Sequence, residues 1–174
     1  MNLKQTHFEL FDLPERYRVD EAALDARYRE LQREVHPDRY AGASQAEQRV
    51  SMQLATRVNE AYRALRSPID RARYILQLHG VDPQLETNTA MPPGFLAGQM
   101  DLREALDEAI DAEDGKKLAV LATQLRGERG ALLSKIETQL DAQAWSDAAS
   151  SLRQLMFLEK FGEDIEAAEE GMEG

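Results

Sequence analysis

The chain has 174 residues, with 21 Lys and Arg against 32 Asp and Glu for a formal net charge of −11, and 43% apolar content of which little is aromatic. Those proportions suit one domain or two small ones packed through Leu, Ala and Met, and the acidic balance excludes a surface built to neutralise phosphates, so no nucleic-acid partner is expected. Cysteine is absent, which excludes disulfides, thiolate zinc sites and cysteine-held clusters in this chain, and no apolar run is long enough to span a bilayer.

The opening MNLKQTHFEL lacks the charged start and apolar stretch of a secretory signal, so a cytoplasmic location without membrane attachment is the default expectation. Phe8, Leu10, Phe11 and Leu13 form a short apolar segment ending at Pro14, which predicts a brief first helix laid across the elements that follow. Asp20 is a plausible N-cap for a second helix over about 21–35, in which Leu24, Tyr28, Leu31 and Val35 are spaced along one face. Pro37 fixes its own φ and biases His36 away from helix, so this helix should end near Val35. Residues 39–43 are polar or small, and Ser44 with Glu47 matches a capping box that opens a third helix. Its expected stripe is Val50, Leu54, Val58, Ala61, Tyr62 and Leu65, so the two segments can pack as an antiparallel hairpin. Ser67-Pro68 breaks the run and starts a further helix over about 69–79, with Ile69, Ala72, Ile75 or Leu76 and His79 on its apolar side and Gly80 as its cap.

Charge is divided unevenly along the chain. Residues 1–93 hold 13 Lys and Arg against 14 Asp and Glu, whereas residues 94–174 hold 8 against 18, so the second part carries −10 of the total. Two units are therefore expected, joined through Gly80-Val81-Asp82-Pro83 to Met91-Pro92-Pro93-Gly94 as a partly packed connection. Downstream, three helical patterns run over about 94–112 (Phe95, Leu102, Ala105, Leu106, Ala109, Ile110), about 115–141 (Leu118, Leu121, Leu125, Leu132, Ile136, Leu140) and from near Trp145, with Trp145, Ala148, Leu152, Leu155 and Ile165 as its stripe. Short connections favour antiparallel neighbours, which predicts a three-helix bundle.

His36-Pro37-Asp38 falls at the tip of the first hairpin, and that tripeptide in a helix–tip–helix context marks a J-domain. An ordinary turn, with Pro stopping a helix and Asp solvating a loop, is the plain alternative. A metal site is poorly supported, since His7, His36 and His79 are far apart and no His-x-x-x-His pattern exists. His36 and Asp38 as a catalytic pair lack a neighbouring nucleophile, so no catalytic residue is assigned.

In the second unit some apolar residues fall off the core stripe. Leu96 and Met100 project about 120° and 160° round from Leu102, on a face with Asp101, Glu104, Asp107, Glu108 and Asp111; Phe157 lies about 120° from Trp145 on the last helix. Acidic runs are often only a solvated face, but an apolar centre flanked by carboxylates also suits a partner with a greasy patch and a basic rim.

Over essentially its whole length the chain resembles the HscB family of iron–sulfur cluster co-chaperones. The segments that carry the resemblance are FELFDLPERYRVD, LQREVHPDRY, SQAEQ and VNEAYRALRSPIDRARYILQLHG, with FLAGQMDLREALDEA and LRQLMFLEKF in the second unit. The resemblance implies an all-α fold: an N-terminal J-domain over 1–79, a linker over 80–93 and a C-terminal three-helix bundle over 94–174. It implies that the J-domain stimulates ATP hydrolysis by a specialised DnaK-type chaperone, HscA, through His36, Pro37 and Asp38, helped by Arg29 and Arg33. It further implies that the bundle binds the scaffold protein IscU through Leu96, Met100, Asp101, Glu104, Glu108 and Phe157. No cofactor, metal or catalytic activity of its own is implied.

The chain departs from the family in three respects. Ala97 stands where relatives often carry a larger apolar residue, and the second helix offsets Arg27, Arg29 and Arg33 with Glu21, Asp25, Glu30 and Glu34. The cysteine-rich N-terminal module of some eukaryotic relatives is missing, so a bacterial type is expected. Two rivals stay open on the residues alone: a J-domain adaptor delivering a different client to a general DnaK-type chaperone, and a purely structural helical assembly protein.

Overall fold

A computed structural model of the chain describes residues 4–84 and 91–173, which are helical with no strand among them. Tertiary contacts divide the chain into two compact units, Met1–Leu78 and His79–Gly174. Residues 85–90, within the expected linker, lie outside the described residues.

The first unit comprises α1 (His7–Leu10), α2 (Glu21–Val35), a 3₁₀ turn (Pro37–Tyr40), α3 (Gln45–Arg66) and α4 (Pro68–Leu78). Asp20 caps α2 by accepting the Ala23 N–H at 3.0 Å. Ser44 and Glu47 form the reciprocal box that opens α3, and the Ser44 hydrogen bonds hold the Glu47 carboxyl below its ordinary range. Phe8, Phe11, Leu24, Leu31, Val58, Leu65 and Leu76 are buried, so α1 lies over the α2–α3 hairpin as the sequence suggests. Across the hairpin the Tyr28 and Tyr62 rings stack at 3.9 Å, and the Tyr62 hydroxyl donates to Asp25 at 2.9 Å.

The stripe of α3 differs from the sequence reading at one turn. Val50 is 49% exposed, and Ser51 is buried in its place. Ser51 lies seven residues before Val58, almost in line with it, and its hydroxyl donates to the Val35 carbonyl at 2.8 Å. That carbonyl is one of the four at the end of α2 with no intrahelical donor.

Arg71 is a charged side chain in this core. Its Nε donates to the Leu65 carbonyl at 2.7 Å and its Nη1 to the Tyr17 carbonyl at 2.6 Å, with the guanidinium 5.3 Å from the Tyr17 ring centre. It thereby satisfies a free carbonyl at the end of α3 and ties the α1–α2 connection to the start of α4.

The second unit contains α5 (Pro93–Asp111), α6 (Gly115–Asp141) and α7 (Trp145–Glu173). Leu102, Leu106, Ala109, Leu118, Leu121, Leu125, Leu158, Phe161 and Ile165 form one core cluster of the three helices. Ile110, expected in the stripe, is exposed; it stands about 100° round from Ala109, and Ala109, seven residues after Leu102, takes the inner position. Trp145 is half-buried rather than central and stacks on His79 at 4.0 Å. A Cβ at Gly162 would come within 3.3 Å of Leu125 Cδ2, so glycine there lets α6 and α7 approach closely. Arg129 and Glu159 pair across the same two helices.

The two turns share one construction. Asp114 N–H bonds to Ala109 O at 2.9 Å and Glu113 N–H to Ile110 O at 3.0 Å; Ala144 N–H bonds to Gln139 O at 2.8 Å and Gln143 N–H to Leu140 O at 3.0 Å. Each is a Schellman cap whose left-handed residue is not glycine, with φ of 50° at Glu113 and 57° at Gln143.

Candidate functional site

The first site is the tip of the α2–α3 hairpin. His36 leaves α2 with φ −58° and ψ 127°, the extended backbone that Pro37 imposes on the residue before it. The His36 Nδ1 accepts the Asp38 N–H at 3.3 Å, which in the neutral ring puts the proton on Nε2 and points it away from the turn. The side chains of His36 and Asp38 are 57% and 89% exposed. An exposed tripeptide on a loose loop would lose entropy on binding, but this one is fastened at its base. Arg39 donates to the Arg33 carbonyl at 3.2 Å, and Ser51 secures the last turn of α2.

Arg29 and Arg33 stand on α2 next to the tip. Arg27 is engaged with Asp12 at 3.1 Å and Glu30 at 3.3 Å, whereas Arg29 and Arg33 form no ion pair among the described residues. Helix-wide charge balance therefore understates what the tip presents: the arginine beside acidic partners is spent internally, and the other two are not. Between α2 and α3 an open groove of about 910 Å³ runs up to His36, lined by Arg29, Gln32 and Arg33 on one side and Ala55 and Asn59 on the other. Gln32, Ala55 and Asn59 were not singled out in the sequence. The only available signal was spacing, since Gln32 follows Tyr28 by four residues on one face of α2.

The second site is on α5 and α7. Leu96, Met100 and Phe157 are 43%, 73% and 41% exposed. Leu96 and Met100 are one turn apart and share a face of α5. Phe157 of α7 reaches the same end of α5 through an edge-on contact with Phe95, ring centres 6.0 Å apart and planes at 82°. Asp101, Glu104 and Glu108 are all exposed. Glu108 lies 3.8 Å from Lys117, while Asp101 and Glu104 have no ion-pair partner among the described residues. The unpaired carboxylates are thus the two nearest the apolar residues. Ala97 is exposed beside them. Under this face one polar side chain, Gln99, is buried beside the apolar core, and its Oε1 has no hydrogen-bond partner among the described residues.

A helical hairpin presenting His-Pro-Asp at a fastened tip, followed by a separate three-helix unit, defines a J-domain protein with an appended helical bundle. Comparison with known proteins narrows the class. A family model described as the HSCB C-terminal oligomerisation domain matches residues 91–166. A co-chaperone protein HscB homolog from Burkholderia multivorans is 49% identical over 173 residues, covering 99% of each chain. A homolog of the same name from Burkholderia thailandensis is also 49% identical over that span. Among solved structures, the chaperone HscB from Vibrio cholerae superimposes with a TM-score of 0.84 at 32% identity, covering 97% of this chain and 99% of that one. The human co-chaperone HscB gives a TM-score of 0.87 at 29% identity, covering 96% and 83%. The chain belongs to the HscB co-chaperone family.

Proposed function

We propose that this co-chaperone stimulates the ATPase of the DnaK-type chaperone HscA and delivers to it the scaffold protein IscU during iron–sulfur cluster maturation. In this reading residues 1–79 act as the J-domain, 80–93 as linker and 94–174 as the scaffold-binding bundle. His36, Pro37 and Asp38 engage ATP-bound chaperone with Arg29 and Arg33 alongside. Leu96, Met100 and Phe157 bury against the scaffold, and Asp101, Glu104 and Glu108 orient it. The co-chaperone does no chemistry; it holds client and chaperone together, which raises the effective concentration of the client at the chaperone's peptide site. The cytoplasm is the compartment in which it would act.

The observation that carries this reading is the pairing of a fastened, exposed tripeptide in one unit with an exposed apolar trio edged by unpaired carboxylates in the other. One experiment tests both halves: a chaperone ATPase assay with and without purified scaffold. His36→Gln should abolish stimulation while leaving scaffold affinity intact. Leu96→Ala and Phe157→Ala should each weaken scaffold binding roughly tenfold, as truncation of apolar anchors at an interface does, and leave scaffold-free stimulation unchanged. Stimulation surviving His36→Gln, or scaffold binding indifferent to both truncations, would sink the corresponding half.

A further inference from the structure

The groove beside His36 is lined mainly by apolar surface, and Gln32 on one of its walls and Asn59 on the other are joined behind it through a single hydroxyl. The Tyr28 hydroxyl bridges the two helices: it donates to Asn59 Oδ1 at 2.9 Å and accepts from Gln32 Nε2 at 2.7 Å. A phenol has a single proton, so at most one of two side-chain amides bonded to it can present its oxygen inward; here Asn59 does so and Gln32 presents its nitrogen. Their outward ends are therefore opposite in kind. Asn59 shows its NH₂ to the groove and Gln32 its carbonyl oxygen, and neither outward group has a partner among the described residues.

Several features hold that arrangement in place. The Tyr28 ring is clamped by its stack on Tyr62, whose own hydroxyl is bonded to Asp25, so the phenol cannot swing away without breaking two cross-hairpin contacts. Ala55, one turn before Asn59, leaves the floor open where a longer side chain would fill it. Arg29 and Arg33 line the same groove without ion-pair partners, favouring an acidic segment.

We infer that Gln32 and Asn59, poised by the Tyr28 hydroxyl, form a specificity-determining donor–acceptor pair that grips one main-chain peptide group of an acidic segment of the chaperone. A peptide group is the matching ligand because it offers one C=O and one N–H side by side. A partner lacking a free peptide group at this point would leave the pair unsatisfied on docking, which penalises the wrong chaperone. Tyr28 acts as a positioning residue. The inference rests on the proposed docking of the chaperone at His36-Pro37-Asp38 and adds to it the contact that reads backbone.

The test is titration of full-length co-chaperone into purified HscA, reading the half-maximal concentration for ATPase stimulation separately from its maximum. Asn59→Asp still accepts the Tyr28 hydroxyl but replaces the outward donor by an acceptor and adds a negative charge, so its effect is read together with that of the uncharged Gln32→Leu. Asn59→Asp should raise the half-maximal concentration roughly tenfold, the order expected when a buried peptide carbonyl loses its donor. Gln32→Leu, at an exposed position where folding is insensitive, should raise it several-fold. Tyr28→Phe, which removes only the orienting hydroxyl, should give a smaller shift of the same sign, with maximal stimulation retained in all three. A half-maximal concentration within twofold of the parent for the uncharged Gln32→Leu would overturn the inference whatever Asn59→Asp shows, while loss of stimulation in His36→Gln would leave the docking reading standing. Undiminished stimulation in His36→Gln would instead remove the docking reading on which the inference rests.

Discussion

His7 is a half-buried titratable group whose protonation the fold opposes. Its ring stacks on Tyr74 at 4.0 Å, its backbone N–H donates to the Tyr74 hydroxyl at 2.9 Å, and its Nδ1 is buried without a partner. Burial, with the Arg57 guanidinium adding to it, lowers its pKa from 6.5 to about 4. The unfolded chain takes up that proton near pH 6.5 and the folded chain only near 4, so stability is full above 6.5 and declines as the pH falls between the two. Thermal unfolding followed by tyrosine near-UV circular dichroism should show a lower Tm at pH 5.5 than at 7.0, a window above most carboxylate titrations. His7→Phe, which keeps the stack, should remove most of that difference; an undiminished difference would assign it to other groups. The sequence marked His7 only as too isolated to be a ligand. Its role depends on Tyr74 and Arg57, which reach it from α4 and α3, and nothing in the local sequence announces a partner 67 residues away.

Helix by helix, capping was the most legible feature and side-chain size the least reliable guide. Asp20, Ser44 with Glu47 and the stop at Pro37 follow from local chemistry that a sequence displays directly, and each element begins or ends where that chemistry requires. The two stripe errors have a common cause. At Ser51 and Ala109 the residue seven positions from a core neighbour is buried although small, and the larger Val50 and Ile110, eight positions away, stand at the edge of the stripe. Seven residues return a helix to within about 20° of its starting direction and eight carry it about 80° past, so position outweighed apolar bulk. The Schellman caps are not visible in the sequence, because their left-handed residues, Glu113 and Gln143, are not the customary glycine. A β-carbon in that conformation is unfavourable by about 1 kcal/mol. Gln143→Gly should therefore stabilise the bundle by about that amount, visible as a rise in Tm of roughly 4–8 °C. A fall in Tm would mean that the Gln143 side chain makes a compensating contact.

At the scale of the whole molecule the charge asymmetry along the chain has a functional reading. Nearly all the net charge belongs to the second unit, yet Glu108 and Asp107 face basic neighbours, and Asp164 lies 2.6 Å from Arg103. Asp101, Glu104 and Asp111 have no ion-pair partner among the described residues, and under the proposed scaffold binding Asp101 and Glu104 would act as rim charges. Such rim charges change association rates more than dissociation rates. Raising salt from about 0.05 M to 0.5 M, which shrinks the Debye length severalfold, should slow scaffold association several-fold in stopped-flow measurements and leave dissociation nearly constant. A purely apolar interface would show no such slowing. The two-unit organisation was legible from proline placement and charge; which of the five candidate carboxylates pair was not, because Asp107 and Glu108 find Arg103 and Lys117 only through helix spacing and the turn between α5 and α6, and Asp101, Glu104 and Asp111 find none among the described residues.

The front end of α5 has a further consequence. Pro92 supplies no side-chain cap, and before Leu102 the helix buries only Gln99. α6 and α7, by contrast, are joined through a short turn and packed along their length. Opening free energies follow buried apolar contact, so amide hydrogen exchange should not be uniform across the bundle. Amides from Leu96 to Gln99 should exchange fastest, and those around Leu121 and Leu158 slowest. A bound scaffold would then protect the fastest-exchanging turns selectively, and α5 would report occupancy as a local gain in order while the α6–α7 pair exchanged as before.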